Sequence, residues 1–448
     1  MRLLLVVHAF PPRSNAGVEV YTLRVARALL TLGHEVRVLT AAHDLGAAPF
    51  SVRERVHEGV HVTEINNVYD RGTLRATWDL LEIERAGASL FAAFRPDAVH
   101  FQHLLNLSSG LVAEARRAGA RTFLTLHDYW LSCPRDGLRM RADLELCRTM
   151  DHSVCARCLA DSPYLVPPAQ RHASGALRAA GLGGVLHRIH DASPGLAEAA
   201  LDLMRKLSPA DAGLAVAMDE RAAGLRGALQ HLDGLFAPTS FARRKAIEFG
   251  APEARTIRLP YGAVVDAARP RAARARRRFG YVGTLAPHKG VHVLVQAFRR
   301  LERDGCALEI YGQPDVFPSY SAQLRELAAG DARIRFHGGF PEGGQKAAHA
   351  SFDALVVPSL WWENSPLSAL EALGAGLPVV ASRTGGVSEI VPESDNLLVP
   401  PGNVDVLYAA LDEMAAGRVL AGPLAALPLK TVAEGARELA DLYSAGLP

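Results

Sequence analysis

The sequence predicts an α/β protein with two consecutive domains, each built around a parallel β-sheet. Short apolar runs alternate with stretches of helical periodicity as far as residue 262, and the same alternation starts again near residue 279. A polar, arginine-rich stretch at 267–278 separates the two series. The chain has 448 residues, 49% of them hydrophobic, so it exceeds the size of a single core.

The first half opens with a strand–helix–strand unit. An apolar run predicts a strand at residues 2–7, a periodic stretch predicts a helix at 20–32, and a second strand follows at 36–40. Such a unit implies parallel strands joined by a right-handed crossover. Further short β-rich runs predict strands at 98–101, 121–126, 234–240 and 255–262. The first domain is therefore expected to span residues 1–265.

Within that domain, residues 161–233 are rich in Ala, Leu and Arg and carry few strand signals. They predict a helical insertion, either a packed α-subdomain or a lid on the acceptor side.

The second half repeats the alternation and predicts a domain at 276–430. Helices are expected at 291–303 and 321–329, and a final helix within 431–448. Strands are expected at 279–283, 307–311, 334–337, 353–357 and 378–381.

The net charge and the lengths of the apolar runs indicate which partners and which cellular location to expect. The net charge of +2 gives no global field for nucleic acid, so none is expected as a partner. The first apolar run is only five residues long before Pro11, too short for a signal peptide, and no run approaches the ~18–20 apolar residues of a membrane-spanning helix. We expect a cytoplasmic protein. The arginines at 269–278 form either a solvated hinge or a contact with an anionic membrane surface or a phosphorylated acceptor.

Residues 356–381 are the most informative for function. A strand, a polar loop and a helix follow one another, with Glu363 in the loop and Glu371 on the second helical turn. The helix begins between them, near Pro366, where free N–H groups and the helix dipole favour an anion. Ionised glutamates accept hydrogen bonds that sugar hydroxyls donate. A phosphate flanked by two hydroxylated rings, as in a sugar nucleotide, fits this pattern. An ordinary βαβ turn with solvated glutamates is the alternative.

This segment resembles the E-x(7)-E motif of the family 4 retaining glycosyltransferases, and Gly385-Gly386-x-x-Glu389 extends the resemblance. The resemblance covers nearly the whole chain and is weakest over residues 161–233. It implies the GT-B fold, in which two Rossmann-like domains face a central cleft and the C-terminal helix crosses back to the first domain.

The resemblance also implies a donor site and a reaction. Sugar would move from a nucleotide-diphosphate sugar without a catalytic metal, with Glu363 on the transferred sugar and Glu371 on the ribose diol. Further donor contacts would come from the start of the helix, at Asn364, Ser365, Pro366 and Leu367.

Residues 281–290 indicate a phosphate-binding turn. Gly283 lets the backbone approach a ligand, and Lys289 supplies a mobile positive charge. The segment is similar to the family's Gly-Arg-Leu-x-x-x-Lys-Gly, except that Thr284 stands where an arginine is common. Neutralisation of the diphosphate should therefore depend on Lys289 and the helix start at Ser365. A plain strand-to-helix turn is the alternative.

Two features of the first half complete the expected site. Residues 12–19 are similar to the family's glycine loop beneath the donor, with Gly17 present and Ala16 replacing the first of the usual two glycines. The loop lacks G-x-G-x-x-G, which argues against a dinucleotide site. His127 is expected at a strand end, and the resemblance gives it a contact with the transferred sugar. A structural turn and a structural histidine are the alternatives.

Four of the five cysteines fall in one stretch at 133–158. Cys155 and Cys158 form a C-x-x-C pair, expected to be a chelating turn, and with Cys133 and Cys147 they can complete a closed tetrahedral zinc site. His152 can replace one ligand. Because the intervening sequence has little apolar core, such a zinc would supply folding energy. Unligated thiols, a disulfide or an iron–sulfur cluster are the alternatives. A subset of the family carries a similar Cys-rich insertion after a His-Asp-x-Trp segment, here residues 127–130.

The resemblance thus implies a retaining, hexosyltransferase-type glycosyltransferase of polysaccharide biosynthesis, with His127 and Glu363 as catalytic residues. Its acceptor would be a glycan, a lipid-linked sugar or a small molecule. Another GT-B enzyme, such as an epimerase or phosphorylase, and a non-catalytic donor-binding partner of a transferase are the alternatives. Lys289 and both glutamates argue against the non-catalytic alternative, whereas Thr284 and Ala16 leave it open.

Overall fold

The computed structural model describes residues 1–68, 73–141, 143–160, 213–265, 277–340, 343–393, 397–417 and 429–447. The chain divides into two compact units. Unit 1 comprises Met1–Pro238, Ala242–Leu259 and Ala433–Pro448, and unit 2 comprises Thr239–Phe241 and Pro260–Val432. Of the predicted insertion at 161–233, residues 161–212 lie outside the described residues, as do residues 266–276 of the arginine-rich stretch.

Unit 1 contains an eight-stranded sheet. Its strands are β1 (Arg2–Val7), β2 (Glu35–Ala42), β3 (Val52–His57), β4 (Val60–Asn66), β5 (Ala98–Phe101), β6 (Arg121–Thr125), β7 (Gly234–Ala237) and β8 (Thr256–Arg258). Their order is β3-β4-β2-β1-β5-β6-β7-β8, and every neighbouring pair except β3–β4 is parallel. The strand order reverses at β1 and β5, and such a switch point in an open α/β sheet is where ligands bind.

The antiparallel β3–β4 hairpin was not predicted. Its two-residue turn, Glu58-Gly59, has positive φ angles of 46° and 81° at both positions, as a hairpin turn of the I′ type requires. A glutamate in place of Asn or Asp hides this turn signal. The edge strand β3 also carries charged residues and two exposed valines, so it lacks a continuous apolar run.

Unit 2 contains a six-stranded sheet. Its strands are β9 (Arg278–Val282), β10 (Ala307–Tyr311), β11 (Ile334–Gly338), β12 (Ala354–Val357), β13 (Val379–Ser382) and β14 (Leu397–Val399). Their order is β11-β10-β9-β12-β13-β14, and all neighbours are parallel. The switch point lies at β9 and β12, whose carboxyl ends lead into the segments that carry Lys289 and Glu363.

The helices cover both sheets, so the central strands are buried along their length, as parallel sheets require. The α-helices of the described residues are α1 (Gly17–Thr31), α2 (Leu81–Phe94), α3 (Leu111–Arg117), α4 (His152–Ala160), α5 (Leu214–Leu229), α6 (Ser240–Phe249), α7 (Val291–Arg299), α8 (Pro318–Ala328), α9 (Gln345–Ala350), α10 (Leu367–Gly374), α11 (Val387–Ile390), α12 (Val404–Ala415) and α13 (Val432–Ala445). Throughout the described ranges, no helix combines the length and apolarity needed to span a bilayer.

The C-terminal helix α13 packs in unit 1. The hydroxyl of the buried Tyr443 meets Nδ1 of His100, whose Nε2 lies 2.8 Å from the hydroxyl of Thr125. Arg121 donates to the carbonyl oxygen of Ser444 at 2.7 Å. Burial lowers the pKa of His100 to about 3, so this imidazole is neutral at physiological pH.

Candidate functional site

Lys289 and Glu363 meet at the carboxyl edge of the sheet in unit 2. Nζ of Lys289 lies 2.8 Å from Oε1 of Glu363. The same oxygen accepts hydrogen bonds from the Ser359 hydroxyl at 2.6 Å and from Nε1 of Trp361 at 2.7 Å. The ammonium also lies 4.6 Å from the centre of the Trp361 ring, within cation–π range. Lys289 and Glu363, the cation and the carboxylate predicted to bind a donor, thus form an ion pair.

The charge state of Glu363 follows from these contacts. The side chain is 5% exposed, and burial alone would raise its pKa. The charge of Lys289 and the hydrogen bonds from Lys289, Ser359 and Trp361 outweigh burial and hold the pKa below its usual value. Glu363 is therefore ionised at neutral pH and can only accept hydrogen bonds.

Glycines allow the loops around this pair to approach one another. Gly290 has a φ of 69°, and a Cβ there would lie 2.0 Å from the carbonyl oxygen of Pro358. Gly385 has a φ of 60°, and a Cβ there would lie 2.0 Å from the carbonyl oxygen of Glu363. The backbone N–H of Gly386 donates to that same oxygen at 2.7 Å. These contacts give a structural reason for Gly385-Gly386, which the sequence motif alone did not supply.

The helix predicted to begin near Pro366 comes directly after the loop that carries Glu363. Helix α10 begins at Leu367, with Pro366 extended at its N-cap, and Glu371 is buried on the helix. Asn364 is buried, and its Oδ1 accepts a hydrogen bond from the Thr239 hydroxyl at 3.3 Å. Ser365 is also buried.

Gly283 and Glu389 take part in the surrounding backbone contacts of unit 2. The N–H of Gly283 donates to the carbonyl oxygen of Tyr311 at 3.0 Å, which links the ends of β9 and β10. The carboxylate of Glu389 accepts from the N–H groups of Ser240 and Phe241, each at 2.7 Å. Glu389 therefore satisfies free N–H groups at the start of α6.

In unit 1, the glycine loop leads into α1, which begins at Gly17. A Cβ built at Gly17 would meet no heavy atom of the described chain within 4 Å. Packing within this part of the chain therefore does not require glycine at that position, in contrast to Gly290 and Gly385.

His127 follows the end of β6 and lies partly buried among polar groups. Its Nε2 lies 2.9 Å from Oε1 of Gln102, which follows the end of β5, and its ring lies 5.2 Å from that of Tyr21. Burial, and the neighbouring His103, hold the pKa of His127 well below its usual value. The imidazole is therefore neutral. Sequence patterns did not single out Gln102 or His103; only their position after a predicted strand could have indicated them.

The loop after His127 is fixed by buried polar contacts. Asp128 contacts Nε2 of His103 at 2.9 Å and accepts from the backbone N–H of Trp130 at 2.7 Å. Arg221 on α5 is almost fully buried and donates to the carbonyl oxygen of Leu131 at 3.0 Å, with its guanidinium 4.8 Å from a Trp130 ring centre. Arg221 falls in the stretch that was predicted only as a helical insertion, so its role was missed.

The Cys-rich segment differs from the prediction. Cys155 and Cys158 lie on helix α4, so the expected chelating turn is wrong, although a spacing of three places both on one helix face. Burial raises the pKa of Cys133 to about 11, and the nearby Cys155 and Cys147 add to the increase. Cys158 likewise contributes to the raised pKa of Cys147 and of Cys155.

The four thiols thus influence one another electrostatically, and zinc binding by them stays a prediction. In the described ranges, no three His, Cys, Asp or Glu side chains are arranged to hold a metal ion. His152, the alternative ligand, pairs with Asp219 on α5 at 2.5 Å.

Comparison with known proteins identifies related domains in both units. Residues 16–165 match the family model of the glycosyl transferase 4-like domain, and residues 276–416 match that of glycosyl transferases group 1. D-inositol 3-phosphate glycosyltransferase of Corynebacterium efficiens is 35% identical over 152 residues, 30% of this chain and 36% of that protein. MMP alpha-(1->4)-mannosyltransferase of Mycolicibacterium hassiacum is 33% identical over 170 residues, 37% of this chain and 39% of that protein. These matches span less than half of either relative.

Solved structures share the fold over the full length. Sucrose-phosphate synthase of Thermosynechococcus elongatus aligns with a TM-score of 0.66 at 18% identity, covering 99% of this chain and 98% of that one. Anabaena Alr3699/HepE, solved in complex with UDP and glucose, aligns with a TM-score of 0.60 at 13% identity, covering 99% of both chains. The chain therefore has the GT-B fold, and each of its two units carries a segment that matches a glycosyltransferase domain model.

Proposed function

We propose that the chain is a retaining glycosyltransferase that uses a nucleotide-diphosphate sugar as donor. The observation that carries this proposal is the pairing of Lys289 with Glu363 beside the start of α10, at the switch point of the sheet in unit 2. A cation, an ionised carboxylate and free helix N–H groups together match a donor that combines a diphosphate with hydroxylated rings.

Donor binding would replace the contact between these two side chains. A diphosphate oxygen takes the place of the carboxylate as the partner of Lys289, and sugar hydroxyls take the place of the ammonium as donors to Glu363. Ser359 and Trp361 keep Glu363 in position during the exchange, since both donate to the same oxygen. Glu371 would bind the ribose diol, and Gly17 and Gly283 would allow backbone to approach the donor.

In the reaction, the bond between the anomeric carbon and the diphosphate breaks, and a bond to an acceptor oxygen forms on the same face. The proton of the acceptor hydroxyl passes to the departing phosphate. Lys289 and the N-terminus of α10 stabilise the negative charge that leaves, which lowers the barrier by electrostatic preorganisation. His127, neutral and partly buried, would contact the transferred sugar. No residue of this scheme calls for a catalytic metal.

The relatives support the class of substrate. The printed names of the matched relatives describe glycosyl transfer to inositol phosphate and mannosyl transfer, and HepE was solved with UDP and glucose. For this chain we propose a glycan, lipid-linked or small-molecule acceptor. We further propose a cytoplasmic location, with the inner membrane face as a peripheral contact for a lipid-linked acceptor.

The experiment is a two-stage screen of UDP- and GDP-sugars. Ligands that raise the melting temperature are incubated with sugar acceptors, and release of nucleoside diphosphate and the anomeric configuration of the product are followed by NMR. Acceptor-dependent release with retained configuration is expected. Donor conversion without an acceptor would indicate an epimerase, phosphate-dependent release would indicate a phosphorylase, and binding without turnover would indicate a non-catalytic partner.

We also propose a structural zinc in the Cys-rich segment. The ligands would be Cys133, Cys147, Cys155 and Cys158, because these thiols influence one another electrostatically and four thiolates can form a closed zinc site. Their side chains would have to rearrange, since no three of the described ligand-type residues are arranged to hold a metal. Burial raises the pKa values of Cys133, Cys147 and Cys155, so a bound cation would be needed to keep these three thiols deprotonated near neutral pH. The metal would supply folding energy to residues 133–158 and no step of the reaction.

A further inference from the structure

Three arginines of unit 1 converge on one buried carboxylate. Glu64 lies near the carboxyl end of β4, and its side chain is 1% exposed. Nε of Arg55 donates to Oε1 of Glu64 at 2.7 Å, and Nε of Arg53 donates to Oε2. Nε of Arg13, in the glycine loop, lies 3.7 Å from Oε1. Each carboxylate oxygen thus already has a guanidinium donor, and Arg13 brings a third positive charge to the same place.

The cluster also joins the β3–β4 hairpin to the loop that leads into α1. Nη2 of Arg55 donates to the carbonyl oxygen of Pro11 at 2.7 Å, and the guanidinium lies 5.9 Å from the centre of the Phe10 ring. Arg13 precedes Gly17 by four residues, so their Cα atoms are at most about 14 Å apart. The cluster therefore lies close to the backbone that would approach the donor.

The positive charges of this cluster outnumber the negative ones. Burial alone would raise the pKa of Glu64, but the hydrogen bonds and charges of Arg55 and Arg53 outweigh burial and lower it, so Glu64 is ionised. Asp44 lies 3.7 Å from Nη1 of Arg53. Among the described residues, Glu64 and Asp44 are the carboxylates that pair with the three arginines. Like charges held this close repel one another, and a bound anion would relieve the repulsion.

The arginines offer hydrogen-bond donors to solvent. The side chains of Arg13 and Arg53 are each 43% exposed, and that of Arg55 is 22% exposed. Arg53 holds Glu64 through Nε, and Arg13 lies beyond hydrogen-bond distance of it, so in the described part of the chain the terminal nitrogens of both remain available to a ligand. Each guanidinium presents a planar fork that matches two oxygens of a phosphate. A phosphate monoester has three terminal oxygens and can accept from two forks at once.

We propose that Arg13 and Arg53, held in place by Glu64 and Arg55, bind the phosphate monoester of a phosphorylated acceptor. This inference rests on the proposed function and narrows its acceptor to a molecule that carries a phosphate. The phosphate anchors the acceptor beside the glycine loop and takes no part in bond making. A soluble sugar phosphate and a lipid headgroup such as that of phosphatidic acid present the same group.

The first test measures binding without a donor, so it does not depend on transfer. In calorimetry with the full-length protein, inorganic phosphate and glucose 6-phosphate should bind, and glucose should bind at least about tenfold more weakly. Added salt should weaken phosphate binding, because the arginines are exposed. Flotation with phosphatidylcholine vesicles, with and without phosphatidic acid, is the second arm. Binding of the soluble phosphates assigns the site to a soluble acceptor, and binding only to vesicles with phosphatidic acid assigns it to a lipid. Binding in neither arm would overturn the inference.

Arg13→Ala is the decisive variant, because its side chain makes no hydrogen bond to Glu64 and its loss should leave the melting temperature unchanged. Phosphate affinity should fall at least about fivefold. The matched control is Arg27→Ala, which removes the same charge from an exposed arginine that pairs with Glu58 and should bind phosphate within about twofold of wild type. Equal weakening in both variants would overturn the site. Phosphate binding that is lost in Lys289→Ala and kept in Arg13→Ala would belong to the donor site and would also overturn it.

Kinetics separate this inference from the proposed function. With an active donor, Arg13→Ala should raise the KM for a phosphorylated acceptor at least about fivefold. The KM for the dephosphorylated analogue and the affinity for nucleoside diphosphate should stay within about twofold of wild type. Equal loss with both acceptors would overturn the inference and leave the transferase activity standing. Conversely, phosphate binding that depends on Arg13 in a protein that transfers no sugar would support the phosphate site and refute the proposed function.

Discussion

Lys289 and Glu363 lie 74 positions apart in the chain and form an ion pair of 2.8 Å, with Glu363 almost fully buried. The predicted phosphate cation is therefore neutralised by the predicted sugar-binding carboxylate. A ligand that offers only a diphosphate must compete with Glu363 for Lys289. A full nucleotide sugar can satisfy both side chains at once.

Replacing Glu363 by Gln should separate binding from turnover. The amide oxygen can still accept from Ser359 and Trp361, but the charge that competes for Lys289 is gone. Nucleoside diphosphate should bind as tightly as to wild type or up to about tenfold more tightly, whereas turnover should fall at least about a hundredfold. Calorimetry and initial rates measure the two effects.

Glu371→Ala is the comparison for that variant, since it removes the expected partner of the ribose diol. It should weaken binding of nucleoside and nucleoside diphosphate alike. Equal loss of nucleotide affinity in the Glu363 and Glu371 variants would show that their roles are misassigned.

Lys289→Ala should weaken diphosphate binding selectively. Loss of a charge-assisted contact is worth roughly 1.5–3 kcal/mol, so the dissociation constant of the nucleoside diphosphate should rise about ten- to a hundredfold. The bare nucleoside should bind as to wild type. Lys289→Arg retains the charge and serves as the control. Diphosphate affinity that survives the alanine substitution contradicts the phosphate assignment.

Gly17→Ala should leave the fold intact and impair the reaction. A Cβ at Gly17 meets no heavy atom of the described chain within 4 Å, so the melting temperature should change by less than about 2 °C. Turnover with the nucleotide sugar should still fall if the backbone there approaches the donor. The matched control is Gly386→Ala, whose Cβ would lie 2.3 Å from the carbonyl oxygen of Asn364 and should destabilise unit 2. Unchanged turnover in Gly17→Ala would remove this loop from the donor site.

Acidification should destabilise unit 1 through His100. Its pKa is about 3 in the folded state and about 6.5 when unfolded, so the unfolded state binds more protons below pH 6.5. The stability contributed by this group is complete well above pH 6.5 and is lost as the pH falls towards 3, by about 1.6 kcal/mol between pH 6.5 and 5. Urea unfolding at these two pH values should show a smaller difference in His100→Gln. An identical difference in both proteins would show that His100 does not carry the effect.

The Cys-rich segment should hold one zinc per chain when the protein is purified under reducing conditions without an affinity-metal column. Chelation should lower the melting temperature and release residues 132–159 to proteolysis, because the metal supplies their folding energy. Cys155→Ser should abolish metal binding, and Cys306→Ser, at the buried cysteine of unit 2, should not. Less than about a tenth of an equivalent of metal, with freely titratable thiols, would exclude the site.

The local pattern of apolar and polar residues was sufficient to predict many of the strands and helices. Continuous apolar runs located β1, β5 and β10 to the residue or nearly so, because buried parallel strands leave a strong signal. Helix α10 could be placed from Pro366 and the glycines after it. Both Glu363 and Lys289 could be proposed from the sequence because each follows a predicted strand, and the carboxyl ends of parallel strands share one edge of a sheet.

Tertiary structure alone decided which of these side chains meet. Glu363 pairs with Lys289 and His127 with Gln102 because β9 lies beside β12 and β5 beside β6, and strand order is not encoded in local periodicity. The helical state of Cys155 and Cys158 likewise depends on packing against α5 and the core. The residue pattern thus determined which polar residues follow the ends of the strands. Long-range packing sets the distances between these residues and their burial, so it determined their partners and their charge.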